Sequence, residues 1–256
     1  MSHKILVVSP HLDDAVLSMG ARIHDLASQG AEVVVHTMFA GIPPLPYAPV
    51  AEYFHYTWKL DTEPIQHRRE EDRAAVTLLG AEVSHGSFLD AIYRRLPGGE
   101  WLIDIDGPMV QGSEQAEPEL CLGMAELVTE LVELHQPDTV FTCAAVGNHI
   151  DHRRTRDAVV TAVAGKVPVL CWEDLPYGLQ GSDAPALPKG AIRLPARAES
   201  ADDASWKAKY EAIECYRSQH AMLWPQDTDF RAMLDAHASS HGGDFRGELF
   251  WPVQAV

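Results

Sequence analysis

Two short stretches hold most of the side chains that could do chemistry. The first is Pro10-His11-Leu12-Asp13-Asp14; the second is His149-Ile150-Asp151-His152, followed by RRTRDAVV. One aspartate in each stretch is accounted for if it merely caps a helix and complements its dipole. Two adjacent aspartates with a histidine exceed what a cap requires. Imidazole and carboxylate in a three-ligand set, with water in the open position, are what a catalytic zinc site needs. Three ligands drawn from these clusters leave ionisable groups over. A spare carboxylate can take a proton from water, and a spare imidazole can stabilise an oxyanion or protonate a leaving group.

The elements that must position these residues read as alternating strands and helices. Lys4–Ser9 (KILVVS) is a short β-branched run, a buried strand; Ala15–Gln29 has one apolar helical face and stops at Gly30. Glu32–Phe39 reads as a second strand, and the Pro-rich run at 41–50 as a loop. A helix over Pro64–Leu79, a strand over Glu82–Phe88 and a long loop or insertion over 96–117 follow. Pro118–His135 is helical, and strands at Asp138–Cys143 and Val167–Trp172 flank a helix over Asp151–Ala164. Beyond a Gly/Ser/Asp/Pro-rich stretch at 177–190 come a strand at Ala191–Pro195, helices over Asp202–Gln219 and Asp227–Ala238, and a closing apolar segment at Gly247–Val253. This alternation predicts an α/β, Rossmann-like fold with a mostly parallel sheet and helices on both faces. In such sheets ligands sit outside the carboxyl ends of the strands, and both His/Asp clusters directly follow predicted strands.

The pairing of PHLDD with HIDH, in this order and on these elements, resembles the PIG-L/LmbE-type zinc-dependent deacetylases of N-acetyl amino sugars. The first motif there is usually written HPDD; Leu12 replaces the proline and keeps the ligand spacing. The resemblance implies His11, Asp14 and His152 as metal ligands, with Zn2+ the cofactor and Fe2+ also suited to the donor set. It implies Asp13 as general base, His149 as oxyanion stabiliser and acid, and Asp151 as the group that holds His149. Some relatives carry a mobile Tyr two residues before the first His of the second motif, where this chain has Gly147. HRREEDRAAVTLLG resembles a further helix of the family and implies sugar contacts for Arg68 and Glu71, which are also an ordinary i,i+3 helix pair. KYEAIECYRSQH, ending in Ser218 and Gln219, and GELF, with Glu248 and Phe250, resemble later family segments.

The expected activity is removal of an N-acetyl group from a small-molecule amino sugar or glycoside, giving acetate and free amine. The alternatives are an amidase acting on another N-acyl metabolite or thiol conjugate, and a non-catalytic Rossmann-like binding module. Other histidines, including His36, His85, His220, His237 and His241, read as surface or satisfied residues. Tyr47, Tyr53 and Trp58 are placed on the Pro-rich loop, and IDIDG (Ile103–Gly107) reads as an exposed acidic turn rather than a calcium loop.

Composition narrows the field. The chain has 256 residues, 46% hydrophobic and 22% charged, with Lys+Arg 20 against Asp+Glu 37 and a net charge of −17. That length suits a single domain with its own core. The acidity disfavours a nucleic-acid or anionic-membrane partner. No apolar run is long enough to span a bilayer, and the N-terminus is too short in apolar residues for a signal peptide. Cys121, Cys143, Cys171 and Cys215 are widely spaced and form no CxxC pair, which suits reduced thiols in a cytoplasm. Homo-oligomerisation is compatible with everything above.

Overall fold

The β-branched runs form the centre of one mixed sheet. The computed structural model describes residues 2–103, 117–224 and 228–256. Its strands are β1 (Lys4–Ser9), β2 (Glu32–Thr37), β3 (Glu82–His85), β4 (Thr139–Cys143), β5 (Val169–Trp172), β6 (Ala191–Arg193), β7 (Arg197–Ser200) and β8 (Gly247–Ala255). The order is β3-β2-β1-β4-β5-β8-β6, with β7 also on β8. β1 to β5 run parallel, and β8 is antiparallel to β5, β6 and β7. Helices α1 (Asp14–Ser28), α2 (Pro49–Trp58), α3 (Pro64–Leu78), α4 (Pro118–His135), α5 (Ile150–Val163), α6 (Asp203–Ile213), α7 (His220–Leu223) and α8 (Phe230–Gly242) connect them.

Alternation along each strand builds two cores. Ile5, Val7, Val33, Val35 and Phe141 face one layer with α1, α3 and α6; Leu6, Val8, Val34 and Val140 face the other with α4 and α5. A third cluster, including Leu12, Phe54, Trp58, Tyr93 and Ile103, packs beside the carboxyl ends of the strands.

β1 lies between β2 and β4, so the strand order reverses there. A crevice opens at such a switch point, and the two His/Asp clusters leave β1 and β4 into it.

Several elements differ from the sequence expectation. The Pro-rich run does not stay a loop to its end: Pro49 is the first residue of α2, where a missing N–H is harmless. Tyr53 and Trp58 therefore sit on a helix. The helix expected over Asp202–Gln219 ends at Ile213, and β7 was not anticipated. The start of the helix expected at Asp227 and residues 104–107 of the acidic turn lie outside the described residues; Ile103 is buried.

α1 is broken at Met19 (φ −134°, ψ 25°), which frees backbone N–H groups in mid-helix. The Glu248 carboxylate accepts from Ala21 N at 3.1 Å and Arg22 N at 2.8 Å, and pairs with buried Lys209 Nζ at 2.6 Å. Glu248 thus caps an internal helix start, which is the physical content of the GELF segment.

Candidate metal centre and active site

Asp14 is the first residue of α1, and its Oδ2 accepts the backbone N–H of His11 at 2.9 Å. The same oxygen lies 3.2 Å from His11 Nδ1 and 3.2 Å from His152 Nε2. Each ring is anchored through its other nitrogen. His152 Nδ1 meets Asp174 Oδ1 at 2.6 Å, and His11 Nε2 meets Asp151 Oδ2 at 3.1 Å. A ligating imidazole backed by a carboxylate is the usual build of a protein metal site. Asp174 is itself fixed by the backbone N–H groups of Ala144 and Val146, at 3.0 and 2.9 Å.

The electrostatics favour a cation. Burial opposes charge on His11 and His152, yet both are raised. Asp90, Asp14 and Asp151 push His11 well up, and Asp14 and Asp174 push His152 to about 9. Asp14 is held well below the usual carboxylate range against its burial, chiefly by His152 and His11. These side chains fit a divalent metal in charge and in donor chemistry.

His149 stands opposite, its ring centroid 4.9 Å from His11 and 5.1 Å from His152. Donor nitrogens of the three histidines come within 4.8 Å of one another. His149 caps α5, its Nδ1 accepting the Asp151 backbone N–H at 3.2 Å. Its ring proton is therefore on Nε2. Burial, with His11 and His152, pushes its pKa down to about 3. Asp13 is also buried; burial raises it to about 7, with Arg68 lowering it and Asp14 raising it.

Comparison with known families matches residues 6–163 to PIG-L, GlcNAc-PI de-N-acetylase. Teicoplanin deacetylase Orf2, in its zinc-inhibited form, is 38% identical at a TM-score of 0.93, covering 99% of this chain and 98% of that one. The A40926 pseudoaglycone deacetylase Dbv21 is 35% identical at 0.86, covering 100% and 98%. The 2'-N-acetylparomamine deacetylase of Niallia circulans is 25% identical over 96% of this chain and 89% of its own length. The chain belongs to the PIG-L family. It is accordingly a hydrolase that removes acetyl from nitrogen, as the two motifs led us to expect.

Asp151, Glu71 and Arg68, the other residues expected at the site, have different surroundings in the structure. Asp151 does not hold His149 through its carboxylate. That carboxylate is taken by His11, by Ala91 N at 2.9 Å and by Arg94 Nη2 at 2.6 Å; only the backbone of Asp151 reaches His149. Glu71 does not line the cleft. Its oxygens accept from Ser218 N at 3.0 Å and Ser218 Oγ at 2.6 Å, so it positions the segment carrying Gln219, which does line the cleft. Arg68 is buried at the cleft wall, stacked 4.7 Å over the Trp58 ring and 3.4 Å from Asp13 Oδ2.

The cleft has a volume of about 400 Å3; Phe54, Trp58, Ile92, Ile103, Tyr177 and Met222 supply its apolar wall. A larger groove of about 710 Å3 runs along α5 past Arg156 and Leu187, away from this chemistry. Gly147 has φ +81°, and a Cβ there would lie 2.4 Å from the Tyr177 ring. Tyr177 packs edge-on to His152 at 5.7 Å. The site thus has a tyrosine, but from the segment after β5 rather than from position 147.

Asp90, Arg94 and Asp174 were missed. None of them belongs to a His/Asp cluster in the sequence, and nothing in WEDLPY marks its aspartate as the partner of a histidine 22 positions earlier.

Proposed function

We propose that this protein is a zinc-dependent N-deacetylase of an amino sugar borne on an antimicrobial scaffold, with His11, Asp14 and His152 as the metal ligands. The observation that carries the reading is one carboxylate oxygen, Asp14 Oδ2, placed 3.2 Å from a nitrogen of each of two carboxylate-backed imidazoles. The relatives named for teicoplanin, A40926 pseudoaglycone and 2'-N-acetylparomamine support the substrate class. Tyr177 on the cleft wall supplies an aromatic surface for a sugar ring. The zinc-inhibited relative supports zinc as a metal that this donor set accepts.

When bound, zinc supplies Lewis acidity to the amide carbonyl and lowers the pKa of water at the site. Asp13 takes a proton from the attacking water and delivers it to the amine nitrogen as the C–N bond breaks. A buried carboxyl poised near neutrality suits both transfers. His149 stays neutral and donates its Nε2–H to the tetrahedral oxyanion; its low pKa fits a hydrogen-bond donor rather than a proton source. Asp151 and Asp174 orient His11 and His152. Free amine and acetate leave.

All four cysteines are free, which supports a reducing, cytoplasmic compartment. Among the described residues no helix is long and apolar enough to cross a membrane.

The test is amine and acetate release by the zinc-loaded protein from a panel of N-acetylated aminoglycosides, glycopeptide pseudoaglycones and simple N-acetylglucosaminides. Release in equal amounts from at least one scaffold-borne sugar is expected. No release from any member, with metal content verified, overturns the proposal.

A further inference from the structure

A second convergence of metal-binding side chains lies outside the cleft. His237 and His241 are four residues apart on α8, so they project from one helix face. Glu173 follows β5 and faces them. Glu173 Oε2 lies 2.7 Å from His237 Nε2 and 2.9 Å from His241 Nε2, and the two nitrogens are 3.0 Å apart.

Hydrogen bonds alone do not satisfy this triangle. An imidazole nitrogen is either an N–H donor or a lone-pair acceptor, never both, and an ionised carboxylate only accepts. At most two of the three contacts can hold a proton, and the third sets two donors or two lone pairs against each other. A cation satisfies all three at once. At bond lengths of about 2.0–2.2 Å, an ion sits just above the plane of the three donors, with outer positions open. The side chains are mostly covered but reachable, at 18% and 19% exposure for the histidines and 14% for the glutamate. The adjoining cavity, about 10 Å3, has room for roughly one water and not for a substrate.

We infer that Glu173, His237 and His241 form a second metal site, separate from the catalytic centre, that takes a divalent first-row transition ion. Two imidazoles and one carboxylate suit Zn2+, Co2+ or Ni2+ and disfavour Ca2+ and Mg2+, which take oxygen ligands. Binding ties α8, whose deeply buried residues are Leu234 and Ala238, to the end of β5. None of this depends on the substrate or on the roles given to Asp13 and His149.

Co2+ is the probe. Wild-type crystals soaked in CoCl2 are expected to show an anomalous difference peak between Glu173, His237 and His241. In solution, His152→Ala should bind one Co2+ per chain by equilibrium dialysis, and the same protein with Glu173→Gln and His241→Ala should bind none. A rise in Tm on adding Co2+ to His152→Ala should vanish with those substitutions. Should His152→Ala fail to fold, Glu173→Gln/His241→Ala alone should bind one Co2+ fewer than wild type. No anomalous density at the three donors, or an unchanged Co2+ stoichiometry in Glu173→Gln/His241→Ala, overturns the inference. Density there with none at Asp14 overturns the catalytic metal assignment instead.

Discussion

At the scale of single residues, the two carboxylates of PHLDD separate by environment. Asp14 shares its oxygen between two imidazoles, whereas Asp13 touches Arg68 and no histidine ring within hydrogen-bond reach. Asp13→Asn should therefore keep its zinc and lose roughly two to four decades of kcat, the range of a general base. Metal analysis beside kinetics checks both halves. The base must be ionised to work, so the wild-type rate should fall as pH drops through the Asp13 ionisation, and the residual rate of Asp13→Asn should lack that acid limb. Asp174→Asn leaves the first ligands intact but removes the anchor of His152. Zinc affinity should drop by about 10–100-fold, the usual cost of losing such a partner, as read by competition with a chelator of known affinity. His11, Asp13, Asp14, His149 and His152 were legible because each helps form a local cluster that a helix cap cannot explain. Asp174, Asp90 and Arg94 were not, because their meaning is a contact across the fold rather than a spacing along it.

At the scale of elements, the break in α1 makes a sharp demand on Glu248. It serves two freed N–H groups and neutralises Lys209, and Glu248 and Lys209 are both buried. Glu248→Ala should cost about 3–5 kcal/mol, the range for stranding one member of a buried ion pair, measured by urea unfolding. Central β2 carries His36, whose pKa is pushed down to about 4 by burial, with His85 and His135 adding to the effect. A neutral buried base stabilises the fold fully above the unfolded value of about 6.5. That stability is lost as pH falls from about 6.5 towards 4, because the unfolded chain binds the proton first. At 1.36 kcal/mol per pH unit the interval is worth about 3 kcal/mol. Unfolding curves between pH 7 and 4.5 should show His36→Gln losing less stability than wild type. The strands and long helices were readable from periodicity. The start of α2 was not, since prolines that forbid a helix interior also favour its first position.

For the whole molecule, the parallel order and the reversal at β1 place the two clusters side by side although 135 or more positions of sequence separate them. The strand-and-helix alternation alone put both clusters at the carboxyl end of the sheet; that β1 and β4 are neighbours it did not say. Nor did it indicate the antiparallel β8 with β6 and β7: β6 and β7 are only three and four residues long and carry little pattern, and the apolar run of β8 does not state its direction or its partners. β1 and β4 are immediate neighbours, joined by backbone hydrogen bonds from Ile5–Thr139 to Val8–Thr142. The span between the two halves of the reaction centre is therefore a fixed lattice dimension of the sheet, near 4.8 Å per strand. No surface loop has to hold it. The segments around 41–60 and 177–190 contribute Phe54, Trp58 and Tyr177 to the cleft wall, so their remaining surface positions can vary with substrate without altering that span. Transplanting the second of these from the paromamine enzyme should redirect which scaffold is accepted while zinc affinity stays put, so diversification of clientele and conservation of chemistry are separable by construction.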